Sequence, residues 1–122
     1  MKIAISSTGK NLTDNVSEIF ARCPYFIIAE ISANGGSASG GKNKKIDKTE
    51  LIENESTNQM SGAGIFAAQL MAEKNVKAVI TGNIGPRAFD VLRQFDIEIY
   101  QGKGKVKEVI EKFIEKKLEK FE

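Results

Sequence analysis

Apolar residues fall into short continuous runs, separated by longer stretches in which they recur every three or four positions. Short runs of this kind predict buried strands, and the chain has four, at Lys2–Ser6, Tyr25–Ile31, Val76–Thr81 and Ile97–Tyr100. A fifth run, Ile46–Asn54, has many polar neighbours and predicts a strand with an exposed face. The glycine- and serine-rich segment Asn34–Asn43 predicts the loop of a hairpin.

The stretches with three- and four-residue spacing predict helices. One covers Ile65–Lys74 and has Ser61 as its N-cap. A second covers Pro86–Phe95 and begins on the residue type that suits the first helical position. Asn11–Phe20 is open to two interpretations, a short helix or an ordered loop. The C-terminal stretch predicts one amphipathic helix whose apolar stripe consists of Val106, Val109, Ile110, Phe113, Ile114, Leu118 and Phe121.

The order of these elements is typical of an α/β protein. A hairpin follows the first strand, and helices and strands then alternate to the end of the chain. Such alternation predicts parallel neighbouring strands joined by right-handed crossovers, with helices on both faces of the sheet. A chain of 122 residues fits one domain, so residues 1–122 are expected to fold as a single unit.

Composition argues against several partners. Lys and Arg number 18 and Asp and Glu number 16, whereas proteins that bind nucleic acid usually carry a clear basic excess. The chain has no run of about 18 apolar residues, so no membrane span is expected. Its single Cys forms no internal disulfide, which favours a reducing, cytoplasmic setting.

The absence of His removes the common catalytic and metal-binding arrangements. Without imidazole there is no Ser–His or Cys–His pair and no zinc site of usual composition. Iron–sulfur clusters normally take about four thiolates, so the one Cys does not hold a cluster by itself. The first strand carries no Asp or Glu, which disfavours a two-metal nuclease. We therefore expect a protein that is not an enzyme.

The stretch VITGNIGPRAF at 79–89 joins a strand end, two glycines and a helix start. In open α/β sheets ligands bind at the carboxyl ends of strands, and a helix N-terminus favours anions. The glycine spacing matches neither the phosphate-loop nor the dinucleotide motif. A binding loop and a tight structural turn therefore both stay open for Thr81, Gly82, Asn83 and Gly85.

Two more places offer candidate chemistry. The helix start at Ser61, Gly62 and Gly64 provides a second group of backbone donors, or only a capped helix packed on a strand. Cys23 follows Arg22, and a neighbouring Arg can lower the pKa of a thiol and favour the thiolate. Cys23 is therefore a candidate thiolate, and the alternative is a packed Cys without a chemical role.

Four stretches together resemble the dinitrogenase iron-molybdenum cofactor biosynthesis family, and in particular its small, single-domain members of nitrogenase accessory factor type. They are MKIAISSTGKNL at the N-terminus, VSEIFARCPYFII at 16–28, SGAGIFAAQLMAEKNVKAVITGNIGPRAFDVL at 61–92 and IEIYQGKGKVKEVIEKF at 97–113. The resemblance covers nearly the whole chain outside 33–59. The occurrence of RCPYF and TGNIGPRAF in this order is its most specific part.

The resemblance implies a three-layer α/β/α fold with a ribonuclease H-like motif and a mixed five-stranded sheet. It also implies a non-catalytic module that binds or carries an iron–sulfur cluster or an iron-molybdenum cofactor precursor. The expected partners are that precursor and cluster-assembly proteins, and a homodimer is compatible with the sequence. Carried onto this chain, the pocket comprises Ser6, Ser7, Thr8, Arg22, Cys23, Ser61, Gly62, Gly64, Thr81, Gly82, Asn83 and Gly85.

The lack of His departs from the nitrogenase-linked members. A cluster bound here would need Cys23, together with a partner chain or with ligands that the cluster itself carries. Backbone N–H groups and Arg22 could then donate hydrogen bonds to the sulfides of an anionic cluster. The alternative function is a regulatory or adaptor domain that binds a small anion or a nucleotide through the same donors.

Overall fold

The computed structural model describes residues 1–31, 46–55 and 62–121. The predicted hairpin loop Asn34–Asn43 and the predicted N-cap Ser61 lie outside these residues. A 3-10 helix covers Phe20–Arg22. The helices and strands are β1 (Lys2–Ser7), β2 (Tyr25–Ile31), β3 (Ile46–Glu53), α1 (Ala63–Glu73), β4 (Ala78–Thr81), α2 (Pro86–Gln94), β5 (Glu98–Gln101), α3 (Val106–Ile114) and β6 (Glu119–Lys120).

The strands form one mixed sheet in the order β3-β2-β1-β4-β5-β6. β4 lies parallel to both β1 and β5, so the carboxyl ends of these three strands share one edge of the sheet. β2 runs antiparallel to β1 and β3, and β6 runs antiparallel to β5. Every residue of β4 is buried, as expected for a continuous apolar run at the centre of a sheet covered on both faces.

Helices cover both faces of the sheet, and alternate strand residues point to each. On one face Ala4, Phe26 and Val79 pack against buried residues of α1 and α2. On the other face Ile5 and Ile80 pack against buried residues of α3. The α/β class and the helices on both faces follow the prediction.

The described residues form a sheet of six strands, so the predicted number of five is wrong. The predicted C-terminal helix is also too long, because α3 ends at Ile114 and Lys116 adopts a φ of +61°. Leu118 packs in the core that contains α3, whereas Phe121 packs in the opposite core. The Phe121 N–H donates to the Ile99 carbonyl at 2.9 Å. The helical spacing of Phe121 is therefore coincidental, and the chain crosses the sheet edge as β6.

The segment between β1 and the 3-10 helix is an ordered loop. It has two isolated bridges, between Ser7 and Val16 and between Asn15 and Lys105. The second interpretation of Asn11–Phe20 is therefore correct. In the part of the chain that the structure describes, no helix is both long and apolar enough to cross a membrane.

Candidate functional site

The loop between β1 and the 3-10 helix crosses the carboxyl ends of β1 and β4. The Ser17 N–H donates to the Ser6 carbonyl at 2.8 Å, and the Gly82 N–H donates to the Ser17 carbonyl at 3.1 Å. A Cβ atom on Gly82 would lie 2.8 Å from the Glu18 Cα atom. Gly82 is therefore needed for close backbone packing, and its amide is not available to a ligand.

The buried hydroxyls at these strand ends support the loop instead of lining a pocket. Ser6 and Thr81 are fully buried. The Ser6 hydroxyl lies 2.8 Å from Thr81 Oγ1 and 3.1 Å from the Ser17 carbonyl. Thr81 donates to the Asn83 carbonyl at 3.2 Å. This chain of hydrogen bonds fixes the position of the loop that leads into α2.

The other two predicted residues are the last residue of β1 and the one after it, and both bond to the loop that follows β1. The buried Ser7 hydroxyl donates to the Gly9 carbonyl at 2.7 Å. Thr8 is exposed, and both its N–H and its hydroxyl donate to the Asn15 carbonyl, at 3.0 and 3.1 Å. The crevice between β1 and β4 is thus filled by the protein's own chain.

The first turns of α1 and α2 lie side by side. A Cβ atom on Gly64 would lie 3.1 Å from the Ala88 Cβ atom, 3.7 Å from the Ala88 nitrogen and 3.8 Å from the Ala21 Cβ atom. Gly62 precedes α1 with a φ of +76°, a left-handed conformation that favours glycine. Gly64 therefore lets the two helix starts approach each other and the 3-10 helix.

Within the described residues, these two helix starts carry donors that have no acceptor. The first bonds within the helices are donated by Phe66 to the Gly62 carbonyl and by Phe89 to the Gly85 carbonyl. The earlier amides, those of Ala63, Gly64, Ile65, Arg87 and Ala88, have no acceptor among the described residues. Each helix N-terminus carries roughly half an elementary positive charge. Side by side, the two present a concentrated positive potential.

Nearby residues add to this surface, which we call the twin-helix edge (residues 62–65, 83–88 and the 3-10 helix). The Phe20 N–H donates to the Asn83 carbonyl at 3.0 Å and holds the 3-10 helix against the loop. Arg22 and Arg87 are exposed residues of this edge. Asn83 and Gly85 are exposed as well, and the Asn83 side chain accepts the Ile84 N–H at 3.1 Å.

Cys23 does not have the environment that the sequence predicted. Its side chain is fully buried, with Sγ 3.4 Å from the Phe20 carbonyl and 3.7 Å from Asn54 Nδ2. Burial, which disfavours the charged form, raises the pKa of the Cys23 thiol to about 12. The expectation that Arg22 favours the thiolate is therefore wrong, and the thiol is protonated at neutral pH.

Asn54 is a site residue that sequence reasoning missed. Its amide group donates to the Cys23 carbonyl at 2.8 Å and to the Ala21 carbonyl at 3.2 Å. It thereby joins the end of β3 to the 3-10 helix and to the start of β2. Polar residues are common at the ends of strands, so the amino-acid sequence around Asn54 gives no signal for this role.

A cleft of about 420 Å³ lies on the other side of Gly82. It opens at the carboxyl ends of β4 and β5, and exposed Glu18 and Lys103 give it charges of both signs. It shares only Gly82 and Asn83 with the predicted site. Its lining is Val16, Glu18, Gly82, Asn83, Gln101, Gly102, Lys103 and Gly104.

The donor set fits hydrogen bonding better than metal ligation. Among the described residues there is no group of three Cys, Asp or Glu side chains that could hold a metal ion, and the chain contains no His. An anion that already carries its own metal ligands needs only donors and positive charge. The twin-helix edge offers both.

Comparisons with known proteins agree with this architecture. A family model described as "Dinitrogenase iron-molybdenum cofactor" matches residues 1–116. An uncharacterised protein of Methanocaldococcus jannaschii is 38% identical over 123 residues, which cover 100% of this chain and 92% of that protein.

Solved structures with the same fold include the apo form of the orange protein from Desulfovibrio gigas. Its TM-score is 0.82 at 25% identity, over 98% of this chain and 92% of that one. A candidate NifB protein from Thermotoga has a TM-score of 0.74 at 33% identity, over 98% and 91% of the two chains.

Proposed function

Since the chain belongs to the dinitrogenase iron-molybdenum cofactor family, we propose that it is a non-catalytic module that binds or carries an iron–sulfur cluster or another metallocofactor precursor. The cargo is an anion whose metal ions are already ligated by sulfide or thiolate. It binds at the twin-helix edge and is released intact, so no bond within the cargo need form or break on the protein.

The observation that carries this proposal is the contact between the two helix starts. Gly64 would bring a Cβ atom to 3.1 Å from the Ala88 Cβ atom, so the unpaired amides of α1 and α2 converge. Helix N-termini bind anions through such amides. Hydrogen bonds from N–H groups to an anion are stronger than those to neutral acceptors. Two adjacent helix starts suit an anion larger than one phosphate.

Cargo held in this way does not need Cys23 as a ligand. The buried, protonated thiol lies beneath the 3-10 helix, and its sulfur would reach a metal only if that helix opened. Ligation by Cys23 was the prediction from sequence, and it stays a distinct version of the proposal. The two versions of the proposal predict different results for Cys23→Ser: the variant keeps the cargo if the amides hold it and loses the cargo if the sulfur is a ligand.

The wider context belongs to the same proposal. The strand order β3-β2-β1-β4-β5, with β2 antiparallel to its neighbours, supports a ribonuclease H-like motif to which β6 is added. The proposed partners are cluster-assembly proteins that load or unload the cargo, and a second copy of the chain. The free thiol of Cys23 suits a reducing, cytoplasmic setting. The length of 122 residues suits a single domain over residues 1–122.

Cluster uptake tests the proposal. Mixed without oxygen with a synthetic iron–sulfur cluster anion, the wild-type protein is expected to retain visible absorbance and iron through gel filtration. Cys23→Ser is expected to retain both. Arg87→Glu places negative charge at the start of α2 and is expected to weaken retention about tenfold. A carboxylate there also suits the helix N-terminus, so this loss would not reflect unfolding.

Arg93→Glu is the matched control, because it makes the same charge change in the last turn of α2. It is expected to bind like wild type. Loss of iron in Cys23→Ser alone would make the sulfur the ligand and remove the role of the amides. If the cluster does not bind but phosphate or a nucleotide raises the melting temperature, the alternative function is correct. A ligand present at a hundred times its Kd would raise the free energy of unfolding by about 2.7 kcal/mol.

A further inference from the structure

β3 is the last strand on one side of the sheet, and no described strand pairs with its outer side. It is eight residues long, and six of them are exposed, with only Ile46 and Ile52 half-buried. Leu51 keeps 43% of its surface exposed. Within the residues that the structure describes, no group outside β3 forms a backbone hydrogen bond with its outer edge. Long open edges of this kind are templates for pairing with another strand.

The hydrogen bonding of β3 to β2 identifies the backbone groups that face outward. The Asn54 N–H donates to the Pro24 carbonyl at 2.9 Å. Hydrogen-bonded pairs alternate along an antiparallel ladder, and Ile52 lies opposite Phe26 and Glu50 opposite Ile28. The even-numbered residues from 48 to 54 therefore bond to β2. The N–H and C=O groups of Thr49 and Leu51 point outward.

We propose that β3 pairs antiparallel with β3 of a second copy of this chain, across a two-fold axis at Thr49. The two Thr49 residues then exchange their outward N–H and C=O groups. Lys48 lies opposite Glu50 of the partner subunit, and symmetry repeats this pair of opposite charges. Within one chain the Glu50 carboxylate already contacts Lys74 at 3.2 Å, so Lys48 would share it with Lys74. The two sheets become one continuous sheet.

Charge favours this register over its two neighbours, which also keep each side chain on its own face. The two neighbouring registers place Lys48 against Lys48 of the partner subunit, or Glu50 against Glu50 of the partner subunit. Like charges directly opposite each other destabilise strand pairing. The register shift between Glu30 and Ile31 opposite this end of β3 limits the straight part of the edge. The dimer is therefore short and depends on concentration.

Sedimentation across a concentration series tests the pairing. The wild-type chain is expected to shift from monomer to dimer as concentration rises. Thr49→Pro removes an outward N–H without touching a bond to β2, a position where edge strands tolerate proline. It is expected to stay monomeric and to melt at the temperature that the wild-type chain shows at concentrations where it is monomeric, whereas Thr49→Ala is expected to dimerise like wild type.

A charge exchange keeps the test decisive even if Thr49→Pro unfolds. Lys48→Glu and Glu50→Lys each place like charges opposite each other twice and are expected to weaken self-association about tenfold. Mixed together, the two variants restore both ion pairs and are expected to form a heterodimer. A wild-type chain that is monomeric at every concentration, or variants whose mixture dimerises no better than either alone, would overturn the proposal.

Discussion

Replacing Gly82 with alanine is expected to destabilise the protein by about 3 kcal/mol, the upper part of the range for overpacking. The added Cβ would lie 2.8 Å from the Glu18 Cα atom and 3.2 Å from the carbonyl oxygens of Ser17 and Glu18. All three are backbone atoms, so no side-chain rotation relieves the contact. The loop would have to move away from β4 and weaken the Gly82–Ser17 hydrogen bond.

Gly85→Ala is the matched control for Gly82→Ala, three residues away in the same loop. Gly85 has a φ of −76°, and apart from its chain neighbours no atom of the described residues lies within 4 Å of its ideal Cβ position. Alanine there restricts the unfolded chain without strain, but Gly85 is the N-cap of α2, where alanine is less favourable than glycine. The two effects oppose each other, so the net change is expected to stay below about 0.5 kcal/mol. Urea unfolding followed by circular dichroism measures both. Equal effects of the two substitutions would contradict the packing described for the strand ends.

Phe20→Ala is expected to cost about 4 kcal/mol, as for other large aromatic side chains removed from a core. Phe20 is fully buried, and its ring lies 5.3 Å from the Phe26 ring, between centroids. It anchors the 3-10 helix that carries Arg22. Truncation leaves a cavity under this helix, so the twin-helix edge is expected to lose order along with stability.

Phe95→Ala serves as the control for Phe20→Ala, because it removes the same atoms from a residue that is 51% exposed. It is expected to cost less than about 1 kcal/mol, since little apolar surface returns to water. Thermal unfolding of both variants checks the difference. If the two lose similar stability, the 3-10 helix is not anchored through Phe20.

Local signals were sufficient to predict the centre of the fold. The residues of β4 form a continuous apolar run because both faces of this strand are covered. α2 begins at Pro86, as predicted from the preference of proline for the first helical position. The C-terminal end was not predictable in this way. The side chains of Leu118 and Phe121 continue the spacing of α3, yet they pack on opposite faces of the sheet. The spacing of apolar residues is the same whether the helix continues or a strand follows it. Only the hydrogen bond from Phe121 to Ile99 in β5 shows that a strand follows.

The candidate site was predictable where it depends on glycines at helix starts, and less so where it depends on distant contacts. Ser6 bonds to Thr81, 75 positions away in sequence. Cys23 bonds to Asn54, 31 positions away. Nothing in the residues around Cys23 reveals that burial, and not Arg22, sets its pKa. The sequence left two interpretations open for both glycines, a structural turn and a binding loop. Gly82 is packed against the backbone of Glu18 and fits the first, whereas Gly85 has open space at its Cβ position and does not need to be glycine for packing.

Amide proton–nitrogen correlation spectra, recorded while a synthetic iron–sulfur cluster anion is added, test the central claim most directly. Paramagnetic iron broadens the signals of nearby amides. We predict that the signals of Gly64, Ile65, Arg87 and Ala88 broaden first. Broadening centred on Cys23 and Asn54, or on the cleft around Lys103, with the starts of α1 and α2 unchanged, would contradict the account.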